Sequence, residues 1–437
     1  MSEHDIPFET AACYSASTKP RMIQHSTVIV AIVLVTVLAT ARYVSLSKRP
    51  RLEDPLEAEN GPPNGPLRVL VLTAAVGGGH EAAGQSVGAE LKEAGHNVVV
   101  KDGLRAMGRA LEWVLVRVYL GQARNTPGSI GIVYEITSGR GRAAVVRAIV
   151  GLLFAGGLLK AIREERPDLV ISTYPLVIAA LGHLRKSGKL GVPAAAIISD
   201  YGAHPLWVAS GVDLHLVVSP PSAELISHAG GKGCVARLPV APKFGFAPTR
   251  EVAREILGLS QETLVALIVG GAWGIGDLGG AARRVAESGA YAIIVTGNNV
   301  RLKNRLEEEF GSNENVRVLG WREDVPVLMA AADCLIQNAG GMTCLEAVEM
   351  GLPILIFEPL KGHGELNARI MEQAGDAHLV RTPEDLGALV RSLARREASL
   401  PTPSRDPGAP TASAVLESLA GSAPERLPRA RDWSWPG

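Results

Sequence analysis

Aromatic residues are scarce in this 437-residue chain, at 4% Phe, Trp and Tyr together, and its 44 Lys and Arg are cancelled by 44 Asp and Glu. The first lack removes the stacking surfaces, and the second the long-range field, on which nucleic-acid binding depends, so no nucleic-acid partner is expected. Cysteine is equally sparse. Cys13, Cys234, Cys334 and Cys344 are scattered without CxxC or Cys/His ligand spacing, which gives neither a disulfide framework nor a zinc site. Cys334 and Cys344 stand in apolar surroundings and read as buried core thiols. No two aspartates stand at DxD spacing, so a bound diphosphate would be neutralised by helix dipoles and side chains rather than by a metal held on such a pair. No cofactor is called for.

Long apolar runs are also few, and the first lies at the N-terminus. Met22 to Ala41 contains no Asp, Glu, Lys or Arg, and a bilayer core takes ~20 such residues as helix. Polar residues from Gln24 to Thr27 shorten the strongly apolar part, and Ala39-Thr40-Ala41 resembles a signal-peptidase site, so a cleaved signal stays open. Glu3, Asp5 and Glu9 are unlike a short basic leader, which favours an uncleaved transmembrane anchor after a polar tail at 1–21. Arg42, Lys48, Arg49 and Arg51 follow the run against Lys19 and Arg21 before it, and this bias predicts a single-pass protein with its large C-terminal portion in the cytoplasm. Residues 42–66 read as a linker. A second apolar stretch, Ala143 to Ile162, carries Arg147 and Lys160, and reads either as a buried helix or as one that faces lipid.

From Leu67 onward, strand-like and helix-like runs alternate. Strands are predicted near 67–73, 168–173, 193–198 and 214–218, and again near 264–269, 291–295, 316–319, 333–336 and 353–357. Such βαβα order predicts parallel sheets covered on both faces. The proline-rich stretch 239–248 interrupts the rhythm, dividing the chain into domains at 67–240 and 241–398. A Pro/Ala-rich tail at 399–437 is expected to be disordered or loosely packed.

Each domain has a glycine-rich turn directly after a strand: Gly77-Gly78-Gly79-His80 in the first, Gly270-Gly271 with Gly274 in the second. A strand that turns through glycine into a helix offers unpaired N–H groups and a positive dipole end to an anion. Two such units predict two doubly wound Rossmann-like domains facing a cleft. The spacing of the first turn is not GxGxxG, although Asp102 ends a plausible second strand where a ribose-binding acid would sit. His80 is either a helix-entry residue or a general base. Asp200, His204 and Trp207 follow an apolar strand, at the strand end where open α/β sheets bind ligands. Asn338, Gly340, Gly341, Thr343 and Glu346 follow another. There Thr343 and Glu346 fit equally a capping box and a site for phosphate and ribose.

Together these residues resemble glycosyltransferase family 28, in particular its monogalactosyldiacylglycerol-synthase-like branch, over roughly 67–397. The likeness is carried by Gly77 to His80, by Val118-Tyr119, Pro127 and Val133-Tyr134, and by Ser199-Asp200, His204-Pro205 and Trp207. In the second domain it is carried by Gly270-Gly271, Gly320-Trp321, Asn338 through Ala347, Gly351-Leu352-Pro353 and Asn367. The resemblance implies a glycosyltransferase-B fold, a UDP-sugar donor on the C-terminal domain, an acceptor on the N-terminal domain, and inversion without an essential metal. It implies His80 and Asp200 as the candidates for acceptor activation, with Gly78, Gly79, His204 and Trp207 around the acceptor. Gly271, Gly340, Gly341 and Thr343 would hold the diphosphate and Glu346 the ribose, with Gly270, His363 and Asn367 also on the UDP-sugar. One departure stands out: where the family usually carries Gln-Gln or Gln-Glu to touch the donor sugar, this chain has His363-Gly364, then Glu365. Galactose, glucose and N-acetylglucosamine therefore remain open. A membrane anchor favours a lipid acceptor such as diacylglycerol. The alternatives are a UDP-sugar 2-epimerase of the same fold and a catalytically silent protein that binds sugar nucleotide or lipid.

Overall fold

The structure, a computed structural model, describes residues 65–76, 78–125, 127–403 and 408–421, without the side chains of 118–130 and 133. The expected anchor at 22–41, the linker before residue 65, Gly77 and the side chains of Val118, Tyr119, Pro127 and Val133 lie outside the described residues.

Two six-stranded sheets, parallel throughout, form the frame. The first runs in the order β2-β1-β3-β4-β5-β6, with β1 Arg68–Thr73, β2 Asn97–Asp102, β3 Leu169–Ser172, β4 Ala194–Ile197, β5 Leu214–Val217 and β6 Gly233–Val235. The second runs β12-β11-β10-β7-β8-β9, with β7 Val265–Val269, β8 Tyr291–Val295, β9 Val316–Leu319, β10 Cys334–Gln337, β11 Ile354–Ile356 and β12 His378–Leu379. β3, β4, β5, β7, β10 and β11 are buried at every residue, as strands covered by helices on both faces must be. That double burial is why their sequences are continuous apolar runs and were legible as strands. The short β6 and β12, at the sheet edges, carried no such run.

The helices that bear on the site are α1 (Gly79–Glu93) after β1, α2 (Arg140–Glu165) before β3, α3 (Gly341–Glu349) after β10 and α4 (His363–Ala374) after β11. Asp102 caps the short helix 103–107, accepting from Arg105 N at 2.8 Å, and accepts from Ala75 N at 3.3 Å. Its carboxylate is spent on the local turn, which disposes of the dinucleotide reading. Cys334 and Cys344 are fully buried, as expected.

The tail expectation is corrected in part. Ala412–Gly421 is a helix that returns to the first domain, burying Ala412, Leu416 and Leu419. Ser413 N donates to Glu90 Oε1 at 2.8 Å, His96 Nε2 lies 3.1 Å from Glu417 Oε1, and Arg237 N donates to Pro410 O at 2.8 Å. A proline-rich approach masked this amphipathic turn in the sequence.

Candidate active site

The first glycine turn behaves as its sequence requires. Gly78, at φ 80°, is the N-cap of α1, so Gly79 and His80 open the helix. The imidazole of His80 stands edge-on to Tyr174, with centroids 5.1 Å apart, and to Trp207 at 6.4 Å. Thr173 Oγ1 donates to the His80 backbone carbonyl at 2.8 Å, which fixes the start of the helix beside Tyr174. Burial pushes the His80 pKa below its ordinary value, against the pull of Asp200, so the imidazole is neutral at physiological pH. Thr173 and Tyr174 were missed in the sequence reading. Their signal was the rule that picked out Asp200: both directly follow an apolar strand.

The second glycine turn differs from expectation. β7 does not run through Gly270 and Gly271 into an α-helix; a 3-10 turn at Gly271–Trp273 follows, and the helix begins only at Leu278 with Asp277 as its cap. Gly271 at φ 66°, Gly274 at 58° and Gly276 at 107° make the intervening loop, and a helix cannot propagate through them. The two glycine turns do meet: a Cβ on Gly78 would stand 2.9 Å from that of Ala272.

Asp200 lies in the loop after β4 and reaches across to the second domain. Its Oδ1 accepts from Asn367 Nδ2 at 3.1 Å and lies 3.2 Å from His363 Nε2, both on α4. Burial works to raise its pKa, but His363, then His80 and Asn367, outweigh it, and the carboxyl stays below its ordinary range. Burial likewise opposes a charge on His363, but Asp200 prevails and the His363 pKa is raised. Asn367 is a junction: Oδ1 accepts from Gly202 N at 2.6 Å and Nδ2 also donates to Ala339 O at 2.8 Å. Nearby, Tyr201 Oη donates to Asp376 Oδ2 at 2.8 Å.

The first residue of α3 sits against the same carboxylate. A Cβ on Gly341 would come within 2.6 Å of Asp200 Oδ1 and 2.8 Å of Ser199 O, so only glycine fits. The turn into α3 is held by Gln337, whose side chain accepts from Gly340 N at 2.8 Å and donates to Gly340 O at 2.9 Å, with Ala339 at φ 69°. Gly340 is the N-cap and provides no side-chain bond. Thr343 is therefore the third helical residue, and the capping-box alternative for Thr343 and Glu346 is not what forms. Glu346 is half-buried, one turn further on. Burial pushes its carboxyl up to about 7, opposed only by Lys243.

His204 and Trp207 complete the N-terminal wall. His204 accepts from Leu206 N through Nδ1 at 3.1 Å, and its Nε2 lies 3.2 Å from Tyr134 O. Burial drops its pKa to about 4, so it is a neutral brace for the segment ahead of α2. Trp207 stands between the two other histidines, its ring 5.2 Å from that of His363. Tyr134 packs on His204 at 4.4 Å and against Gly362, where a Cβ would lie 2.8 Å from its ring.

Two parallel doubly wound sheets whose glycine turns and strand-end loops converge on one cleft define the glycosyltransferase-B fold. Solved structures of that fold agree. The Streptomyces sp. SF2575 glycosyltransferase SsfS6, complexed with thymidine diphosphate, superposes with a TM-score of 0.52 at 16% identity, covering 82% of this chain and 100% of that one. SnogD of Streptomyces nogalater gives 0.52 at 17%, over 82% and 100%. By sequence, residues 80–233 match the family model of monogalactosyldiacylglycerol (MGDG) synthase, and residues 265–396 match glycosyl transferases group 1. The processive diacylglycerol β-glucosyltransferase of Bacillus pumilus (strain SAFR-032) is 26% identical over 349 residues, 76% of this chain and 88% of the relative. The Bacillus subtilis (strain 168) protein of the same name is 27% identical over 245 residues, and the match spans only 63% of its length. The resemblance read from the motifs, to the monogalactosyldiacylglycerol-synthase-like branch of glycosyltransferase family 28, is thus shown by these relatives.

Proposed function

We propose that this protein is an inverting glycosyltransferase that moves a hexose or N-acetylhexosamine from a UDP-sugar to a lipid hydroxyl such as that of diacylglycerol, at a membrane surface. The observation that carries the reading is His80: an imidazole whose pKa burial lowers, held edge-on between Tyr174 and Trp207 and near enough to Asp200 to feel its charge. In this mechanism the acceptor hydroxyl gives its proton to His80 as its oxygen bonds the anomeric carbon. The bond from that carbon to the diphosphate oxygen breaks on the opposite face, and UDP leaves with the electron pair. The N-terminus of α3 meets the developing charge. Of the two candidates for the base we assign His80, whose imidazole is the neutral one; Asp200 is paired with His363 and Asn367 in the empty protein. Glu346, half-buried and near neutrality in charge, suits two ribose hydroxyls.

The test is transfer of label from a panel of radiolabelled UDP-sugars into the organic phase, with membranes holding the full chain. Label from one sugar is the expected result and names the donor. UDP binding without labelled lipid would favour a silent binding protein, and release of free sugar epimer an epimerase.

Helix α2 supports the lipid surface. Among the described residues it is the one helix long and apolar enough to cross a membrane, yet its buried face packs on the first domain. Its exposed residues Val145, Ala148, Leu152 and Gly156 fall at helical spacing and form an apolar stripe, with Leu152 72% exposed. Arg140 and Arg142 at one end and Lys160 at the other are exposed cations suited to anionic headgroups. Val145→Ser with Leu152→Ser should lower the partition coefficient onto anionic vesicles by roughly a hundredfold or more, from the ~1.5–3 kcal/mol that burying each such side chain supplies. A flotation assay on chain lacking residues before 65 but otherwise whole would read it, and unchanged binding would retire α2 from this role.

A further inference from the structure

The Asp200 carboxylate belongs to the N-terminal domain, yet the two side chains that hydrogen-bond or pair with it, Asn367 and His363, come from the other. It takes the Asn367 amide and the His363 imidazole, and it lies against the first residue of α3, where the helix dipole is positive. The approach is built into the backbone. Gly341 has no room for a Cβ because of Asp200, Gly202 none because Leu366 would lie 2.6 Å away, and Gly362 none because of Tyr134. Tyr201 ties the same loop to Asp376. These are the groups that the reading above assigns to the donor diphosphate and sugar, and two anions cannot share them.

We infer that Asp200 is a resident anion of the donor site, occupying in the empty protein the helix end and the two side-chain donors that a nucleoside diphosphate must take over. The inference rests on the proposed UDP-sugar reading and adds a step to it. Donor binding hands His363 and Asn367 from Asp200 to the diphosphate-sugar, and the displaced carboxylate stays on its own domain, where His80 is the cation-forming group that already feels its charge. A base strengthened by a freed carboxylate is then available only when the donor is seated. The histidine that replaces the family's amide is central here, because an imidazole can pair with a carboxylate as an ion and an amide cannot. Groups facing His363 are Asp200 from the β4 loop, Trp207 and Tyr134 from the N-terminal domain, and Asn367 on its own helix.

Calorimetric titration of the full chain with UDP, and in parallel with uridine, tests this. Asp200→Asn keeps the shape but removes the charge, so UDP should bind roughly fivefold to tenfold tighter while uridine affinity stays as in wild type. Unchanged or weaker UDP binding by that variant would overturn the inference and leave the UDP-sugar reading standing. Equal tightening of UDP and uridine would also overturn it, since that reports a loosened cleft rather than a removed charge. Absence of UDP binding to wild type would sink both. Should Asp200→Asn not fold, judged by thermal unfolding, Asp200→Ser replaces it with the same expected direction.

Discussion

Replacing His80 with alanine is expected to cut turnover by roughly 10²- to 10⁴-fold, the usual contribution of a positioned general base, while UDP affinity is nearly unchanged. The split follows from where the ring sits. His80 opens α1 on the N-terminal domain, between Tyr174 and Trp207, whereas the groups suited to UDP lie on α3 and α4. Its backbone role survives the change, because the Thr173 hydroxyl bonds the carbonyl and not the ring. The pH profile adds a readout that loss of structure would not imitate. A base works when deprotonated, and burial lowers the pKa of this imidazole in the empty protein, so kcat/KM measured at low donor concentration, which reports that state, should persist as pH falls past the ordinary histidine value near 6.5 and decline only below it. Initial rates of label transfer across pH would show this limb in wild type and its disappearance in His80→Ala. Full activity in the variant would move the base elsewhere.

Glu346→Gln should weaken UDP binding by roughly 10- to 100-fold, since hydrogen bonds to a charged acceptor contribute ~1.5–3 kcal/mol each. It should also stabilise the empty protein at pH 8. Burial raises the folded-state carboxyl from 4.5 to about 7, so the stability tied to its neutral form is fully present below pH 4.5 and lost as pH rises through 7. Above pH 7 the ionised group costs up to ~3 kcal/mol, which glutamine does not incur. Ribose hydroxyls favour the ionised form, so UDP binding by wild type near pH 7 should release a proton, and by Glu346→Gln should not. Calorimetry in two buffers of different ionisation enthalpy, with urea unfolding at pH 5 and pH 8, measures all three effects. A variant that binds UDP as wild type does would remove Glu346 from the ribose site.

Much of this protein was written in local pattern. Ten of the twelve strands, from β1 to β11 with β6 omitted, were legible, six of them because a strand buried at every residue needs a continuous apolar run, and β2 through the strand that ends at Asp102. Glycine at a strand end has a single strong reason to be there, and Gly78 met it with a positive φ. Strand-end position likewise singled out His80, Asp200 and Glu346 as candidate site residues. Where one spacing served two purposes, pattern failed. Thr343 and Glu346 fit a capping box until the start of α3 at Gly341 decided otherwise, and Gly270-Gly271 looked like a helix entry until three positive-φ glycines made a loop of it.

Contacts between residues far apart in the chain were settled by tertiary structure alone. The sequence determined two doubly wound domains, the strand ends that bear the candidate residues, and the family they resemble, because backbone propensity and burial act over a few neighbouring residues. Folding decided that Asp200 pairs with His363 and with Asn367, the latter 167 residues away, and that the helix after residue 411 returns to α1. Those pairings depend on how whole domains pack and on which buried charge finds a partner, and no short window of sequence contains either.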